Sequence, residues 1–508
     1  MPIAVAAPND LAARAGRDVA EAGGNAVDAA IAAALVAMTT EPGICSIPGG
    51  AYLTIEPVDG PAETIDANVS MPGHGLPRDR FGRGVFDITT EYGGGVDITI
   101  GHGSVATPGT PAGLALASER HGRLPWRDLL APAIAIAREG FPMGAASTYY
   151  LEYVHEDLFG WHAPSHAAIH DDAGELLPTG ARVHVAALAE SLEQLAEEGV
   201  AALYAGDLGA RIVDDVLAHD GILTREDLRR YEAVVREPVT VDVAGWHVAT
   251  NPPPAIGGVT LGAMLTLLAG EVGADWGPAD VERVVRVQEA VLGWRVEHLD
   301  VADDRGAAGR ELLALARADG FRAALQSPST VHISATDGDG QACAITASAG
   351  YGSGVMPPGT GLWLNNCLGE QELNRRGLHA WEPGDRLPSN MAPTVARADD
   401  GASLAIGSPG ADRITTAILQ TLLRFTAGAS LVDAIAAPRV HVRHGPDGRV
   451  LRVGHEEDLP MPPLDLPTGS YHRHAMFFGG VTATLRRADG SLTAAADPRR
   501  GGGTEVSP

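Results

Sequence analysis

Hydroxyl-bearing residues crowd one stretch of this 508-residue chain, "SPSTVHISATDGDGQACAITASAGYGSG" at positions 327–354. Thr330, His332, Ser334 and Thr336 alternate with Val331, Ile333 and Ala335, and a return segment at 342–345 follows Asp337-Gly338-Asp339-Gly340. Period-two alternation around a glycine-rich turn predicts a β-hairpin with its hydroxyls on a wet face. A second stretch, "PGADRITT" (409–416), sets glycine and alanine before a helix whose first turn holds Asp412. Backbone N–H groups at 410–412 would point out of that helix N-terminus, forming either an anion cradle or a plain capped start.

Other candidates are weaker. His155, His162, His166 and His170 form the densest histidine group, and a spacing of four could align the last three for a metal. Pro164 interrupts that span and 171–174 reads as a turn, so a solvated loop without metal is the expectation. No G-x-S-x-G elbow occurs, since "GICSIPGG" (43–50) has the wrong spacing. "GGGVDITIGHG" (93–103) lacks the strand–glycine–helix setting of a dinucleotide site.

The elements that must position these residues alternate in type. Residues 9–38 read as two helices broken at Gly23-Gly24-Asn25, and 50–57 pairs with 62–67 as strands. Residues 70–110 carry little periodicity and read as a long loop. Helices dominate from Pro125 to about 233, strands occupy 237–254, and helices return up to 325. Strands are expected from 327 to about 365, an irregular loop to 393, a strand at 402–410 and a helix at 412–428. Strands flanked by long helical stretches indicate layered α/β architecture.

Composition bounds the function. With 45% apolar residues and only 5% aromatics, the core must be built from Ala, Val, Leu and Ile. A formal charge of -27 argues against nucleic acid and anionic membranes as partners. All 37 Lys+Arg positions are arginine, which excludes a Schiff-base lysine and a Walker loop. No apolar run reaches the roughly 18 residues of a membrane span. The first residues lack a basic segment ahead of an apolar one, and Cys45, Cys343 and Cys367 form no disulfide framework. A cytoplasmic location is expected.

Taken in order, several stretches resemble the gamma-glutamyltranspeptidase family of N-terminal-nucleophile hydrolases along nearly the whole chain. They are "GGNAVDAAIAAA" (23–34), "PGTPAGL" (108–114), "HGRLPWRDLLAPAIAIAREGF" (121–141), "DGILTREDLRRYEAVVREPV" (220–239) and "NPPPAIGGVTL" (251–261). "GTGLWLNN" (359–366), "RLPSNMAPT" (386–394), "GSPGADRITTAILQ" (407–420), "APRVH" (437–441) and a final "ADPRRGG" follow. The resemblance implies an αββα sandwich and a precursor that cuts itself before the threonine of a T-x-H-x-S pattern, here Thr330-Val331-His332-Ile333-Ser334. Thr330 would attack the carbonyl of Ser329, giving segments 1–329 and 330–508 that stay folded together, with assembly beyond that pair left open. The freed threonine would then carry nucleophile and base in one residue, because an α-amine has a pKa of about 8.

The same resemblance assigns the second hydroxyl to Ser348 and the oxyanion hole to the amides of Gly410 and Ala411. No cofactor or metal is implied, and the partner is a small-molecule acyl donor, an amide or a ketone. The substrate-gripping positions depart from the family. Its carboxylate-binding arginine falls near Met71, with no arginine until Arg78. Its paired serines become Ser389 and Asn390, its amine-holding groups Cys367 and Glu370, and the asparagine after its second threonine Gly350. Either Arg78, Arg80 or Arg386 re-forms the clamp, or the substrate is not a γ-glutamyl compound, and the sequence favours the second. Acylases of β-lactam side chains, small-amide hydrolases of the oxamate type and C–C bond hydrolases remain open, as does an unprocessed binding protein.

Overall fold

The structure, a computed structural model, describes residues 1–90, 95–318, 330–445 and 448–507. Ser329, the residue expected to lie just before the cut, falls outside them. Two antiparallel sheets dominate. The first has the order Gly503–Ser507, Ile3–Ala7, Val331–Asp337, Ala342–Ser348, Gly50–Glu56, Glu63–Ala67, Val234–Arg236. The second runs Leu492–Ala496, Thr482–Arg486, Ser403–Gly407, Thr394–Ala398, Trp246–Thr250, Val239–Val243. The sheets pack face to face, Val331–Asp337 against Thr482–Arg486 and Ser403–Gly407.

Side-chain alternation explains why three layers of contact form. On the hairpin 331–348, Val331, Ile333, Cys343 and Ile345 face the helix Ala26–Thr40 and join one apolar core with it and Asp10–Glu21. Leu404 and Ile406 face the opposite way, into a second core with helices Gly257–Leu268 and Arg413–Thr426. Between the sheets lie small and hydroxyl side chains: Ala344, Val395 and Ala405 cluster there, and Thr336 Oγ1 meets Thr484 Oγ1 at 2.8 Å. A core of such small groups buries little apolar area per residue, so most hydrophobic stabilisation comes from the outer cores.

The helix Ala26–Thr40 is buried throughout. Its run of alanines lets it lie close to the sheet, and Asn25 with Asp28 caps its start reciprocally. Asp337 joins this start to the hairpin turn. Its Oδ2 accepts from Ala26 N at 3.1 Å, and its Oδ1 accepts from Asp339 N and Gln341 N.

Four expectations change. The hydroxyl face of the hairpin is not wet: Thr330, His332, Ser334 and Thr336 are all buried between the sheets. A second sheet covers that face, which no period within one strand can announce. Strand pairing on this hairpin stops at Ser348 instead of reaching 365, and the 70–110 region contains a short pair, Phe86–Thr90 with Val96–Ile100. Pro164 opens the helix Ala163–Ile169, where its missing N–H costs nothing.

Candidate active site

Thr330 lies at the mouth of the sandwich, immediately before the strand Val331–Asp337, and is 2% exposed. Val331 pairs with Ala347 across the hairpin, so the same register sets Thr330 opposite Ser348. Both line one narrow pocket. Cys367, Glu370, Ser389 and Asn390 line it too, as do Asn68, Val69 and Met391. Six positions assigned from sequence, scattered over 61 residues from 330 to 390, therefore share one pocket.

Close backbone approach builds the nucleophile side. A Cβ on Gly49 would lie 2.4 Å from the Ser348 carbonyl oxygen, so only glycine lets that chain pass. Ser348 Oγ accepts the N–H of Gly350 at 3.1 Å. His332, next on the same face, holds the hydroxyls of Thr346 (2.8 Å) and Ser334 (3.0 Å). Burial pushes its pKa down to about 3, which keeps the imidazole neutral and makes it a hydrogen-bonding brace.

The Gly410–Ala411 turn does not line this pocket. It leaves the strand Ser403–Gly407 at the end where Gly407 touches the His332 ring, the Thr330 end of the hairpin. Gly410 has φ 123° and Ala411 φ 68°, so both hold left-handed-side backbone, and Ala411 does so against its own Cβ. Asp412 anchors the turn from below. Its Oδ1 accepts from Arg413 at 2.6 Å and its Oδ2 faces His441 Nε2 at 3.1 Å. Burial alone would raise the Asp412 pKa, but the Arg413 and His441 charges outweigh it and hold the carboxyl below its ordinary range.

The recognition side is made of loops. Asn365 bridges Pro48 O and Ala106 O through Nδ2, and Asn374 Nδ2 donates to Cys367 O at 2.7 Å. These amide clasps fix the segment carrying Cys367 and Glu370. Ser389 O accepts from Ile256 N and Gly257 N at the start of the helix Gly257–Leu268. Sequence reasoning missed the clasps, although the Asn-Asn pair ahead of Cys367 is their visible signal.

Charge is scarce in this pocket. No arginine, lysine or histidine is among its described lining residues. Burial pushes the Glu370 carboxyl well above its ordinary pKa, with Glu372 adding to the shift. Burial likewise holds Cys367 as a thiol. Met71 packs in an apolar cluster with Val69, Cys367 and Leu387. The arginines considered as replacements are engaged elsewhere: Arg78 with Glu382, Arg80 near Asp220, and Arg386 with Asp66 and the Tyr231 ring. His162, His166 and His170 do not form a ligand group among the described residues. His155 bonds to His170, and His166 stacks on it.

Comparison with known proteins fits this geometry. The family model described as Gamma-glutamyltranspeptidase matches residues 12–507. The chain is 30% identical to the glutathione hydrolase proenzyme of Escherichia coli, covering 97% of this chain and 90% of the relative. It is 31% identical to the acylase ACY 1 proenzyme of Pseudomonas sp. strain V22, covering 96% and 90% respectively. Among solved structures, cephalosporin acylase from Bacillus halodurans superposes with a TM-score of 0.81 at 24% identity, covering 99% of this chain and 95% of that one.

Proposed function

Because the chain belongs to the gamma-glutamyltranspeptidase family and is an enzyme of its hydrolase and acyltransferase type, we propose that it matures by cutting itself before Thr330 and then transfers neutral acyl groups through that threonine. The observation that carries the specificity half is the pocket's lack of any arginine, lysine or histidine among its described lining residues. A carboxylate on the substrate would find no bidentate arginine there, and no neutral group replaces one at similar strength. The two sheets with their helical covers are read as the αββα sandwich of N-terminal-nucleophile hydrolases.

In maturation the Thr330 hydroxyl adds to the Ser329 carbonyl. The peptide C–N bond breaks, the nitrogen takes the hydroxyl proton, and water opens the resulting ester. Segment 1–329 gains a carboxylate and segment 330–508 a free amine. Both proenzyme relatives support this order of events by their names. In turnover the amine of Thr330 accepts the proton of its own hydroxyl as Oγ attacks the donor carbonyl. The N–H groups of Gly410 and Ala411 receive the oxyanion, an arrangement typically worth about 3–4 kcal/mol per donor. The leaving group departs with the proton, and water or an amine releases the acyl group from Thr330. Ser348, facing Thr330 in register, orients the hydroxyl.

A ketone fits the same steps, with carbon as the leaving atom. An amide donor is favoured because it needs no stabilised carbanion. Intact-mass measurement of the purified protein tests maturation, with two fragments starting at residues 1 and 330 expected in place of one 52.5 kDa species. For specificity, an anilide with an uncharged acyl group should be hydrolysed and a γ-glutamyl anilide should not exceed the Thr330→Ala background. Efficient γ-glutamyl release would overturn the neutral-acyl reading while leaving the nucleophile in place.

A further inference from the structure

A group of chemistry-bearing side chains lies outside this pocket. Asp215 and His219 are one turn apart at the C-terminal end of the helix Asp207–Ala218, which His219 caps. His102 opens the short turn His102–Ser104 and is 5% exposed. One ligating atom from each of the three lies within 4.8 Å of the others. Buried His102 Nε2 faces buried Asp215 Oδ2 at 3.4 Å, and neither atom has a hydrogen-bond partner.

That spacing is wider than the 2.7–2.9 Å of a charge-assisted hydrogen bond. It does match two ligands held at about 2.0–2.2 Å from one tetrahedral ion, which sit roughly 3.4 Å apart. His219 Nδ1 lies 2.8 Å from Asp215 O. A carbonyl only accepts, so Nδ1 carries the proton and Nε2 keeps its lone pair for a metal. The His219 ring stacks on that of His102 with centroids 4.3 Å apart, and with 55% of its side chain exposed it can pivot off that stack to close the set. The helix C-terminus adds negative potential. Gly221 makes room, since a Cβ there would lie 2.6 Å from the His102 carbonyl.

We propose that His102, Asp215 and His219 bind one divalent cation of zinc-like softness, with its remaining positions open to solvent. Two imidazoles and one carboxylate suit zinc better than calcium or magnesium, which take all-oxygen sets. The ion would clip the 102–106 segment to the helix Asp207–Ala218. That segment backs the recognition loop: Ser104 O accepts from Leu368 N, and Ala106 N donates to Asn365 Oδ1. The role is therefore positional and touches no reacting atom.

The experiment is calorimetric titration of Zn²⁺ into chelator-treated protein, with Co²⁺ absorption as a geometric probe. One equivalent should bind, raise Tm and give the d–d bands of a four- or five-coordinate site. His219→Ala, whose side chain is half in solvent, should keep a native circular dichroism spectrum and weaken binding at least about tenfold. Asp215→Asn should do the same. A His155→Ala/His166→Ala double variant should bind like the parent. Absence of stoichiometric binding, or binding lost in the double variant and kept in His219→Ala, would overturn the proposal. Neither outcome depends on whether Thr330 is the nucleophile.

Discussion

The two sides of the pocket are built by different means. Thr330 and Ser348 sit at the open end of a hairpin in the middle of a sheet, Thr330 directly before the paired strand Val331–Asp337 and Ser348 paired with Gly50. Cys367, Glu370, Ser389 and Asn390 sit on loops held by side-chain amides and a helix start. The first side carries two hydroxyls, and the strained Gly410–Ala411 turn leaves the facing sheet at the same end. The second presents Ser389, Asn390, Cys367 and Glu370, with no arginine, lysine or histidine among the pocket's described lining residues. Chemistry tied to sheet register resists change, because a slip of one residue turns every side chain to the other face. Recognition borne on loops can be rewritten without disturbing either sheet.

This contrast can be broken experimentally. Thr330→Ala should abolish self-cleavage and lower turnover by at least about 10³-fold, whereas Cys367→Ala, on the loop side, should stay within about tenfold, measured as kcat/KM. Asp412→Asn removes the charge between Arg413 and His441 beneath the Gly410–Ala411 turn. Unfolding by urea should show a loss of about 3–5 kcal/mol, since it takes the buried carboxylate out of its pair with Arg413.

Glu370 sharpens the comparison through pH. Its folded pKa is raised above the unfolded value, so the native state holds the proton more tightly. Stability is then fullest below the unfolded pKa of about 4.3 and falls as pH rises towards the folded value. Glu370→Gln should remove that slope from a plot of Tm against pH. An unchanged slope would show that the carboxyl is ionised in the pocket. The smallest effect is expected at Ala411→Gly. Relief of the φ 68° backbone should add about 0.5–1 kcal/mol of stability, with activity unchanged because the amide is retained.

Much of this was legible in the residues. The Thr-x-His-x-Ser alternation, the glycine–alanine helix start and the loop positions 367, 370, 389 and 390 all marked places that the fold brings to one end of the sandwich. What escaped reading depends on neighbours distant in sequence. The hydroxyl face looked wet because its cover, Thr482–Arg486, lies about 150 residues downstream of the strand it covers. His102 is separated from Asp215 by more than a hundred residues, so no local spacing announced that pair. Arg386 looked available as a clamp until Asp66 and Tyr231 were seen to hold it.

The hairpin 331–348 lies between Ile3–Ala7 on one side and Gly50–Glu56 on the other. A chain severed ahead of Thr330 thus resembles a zip whose teeth come from both halves: pulling out the later half would strip Ile3–Ala7 of every ladder bond and Gly50–Glu56 of those on one side. Scission can release a new amino group without releasing a subunit. Genes encoding the halves separately should give insoluble products unless the two are made together.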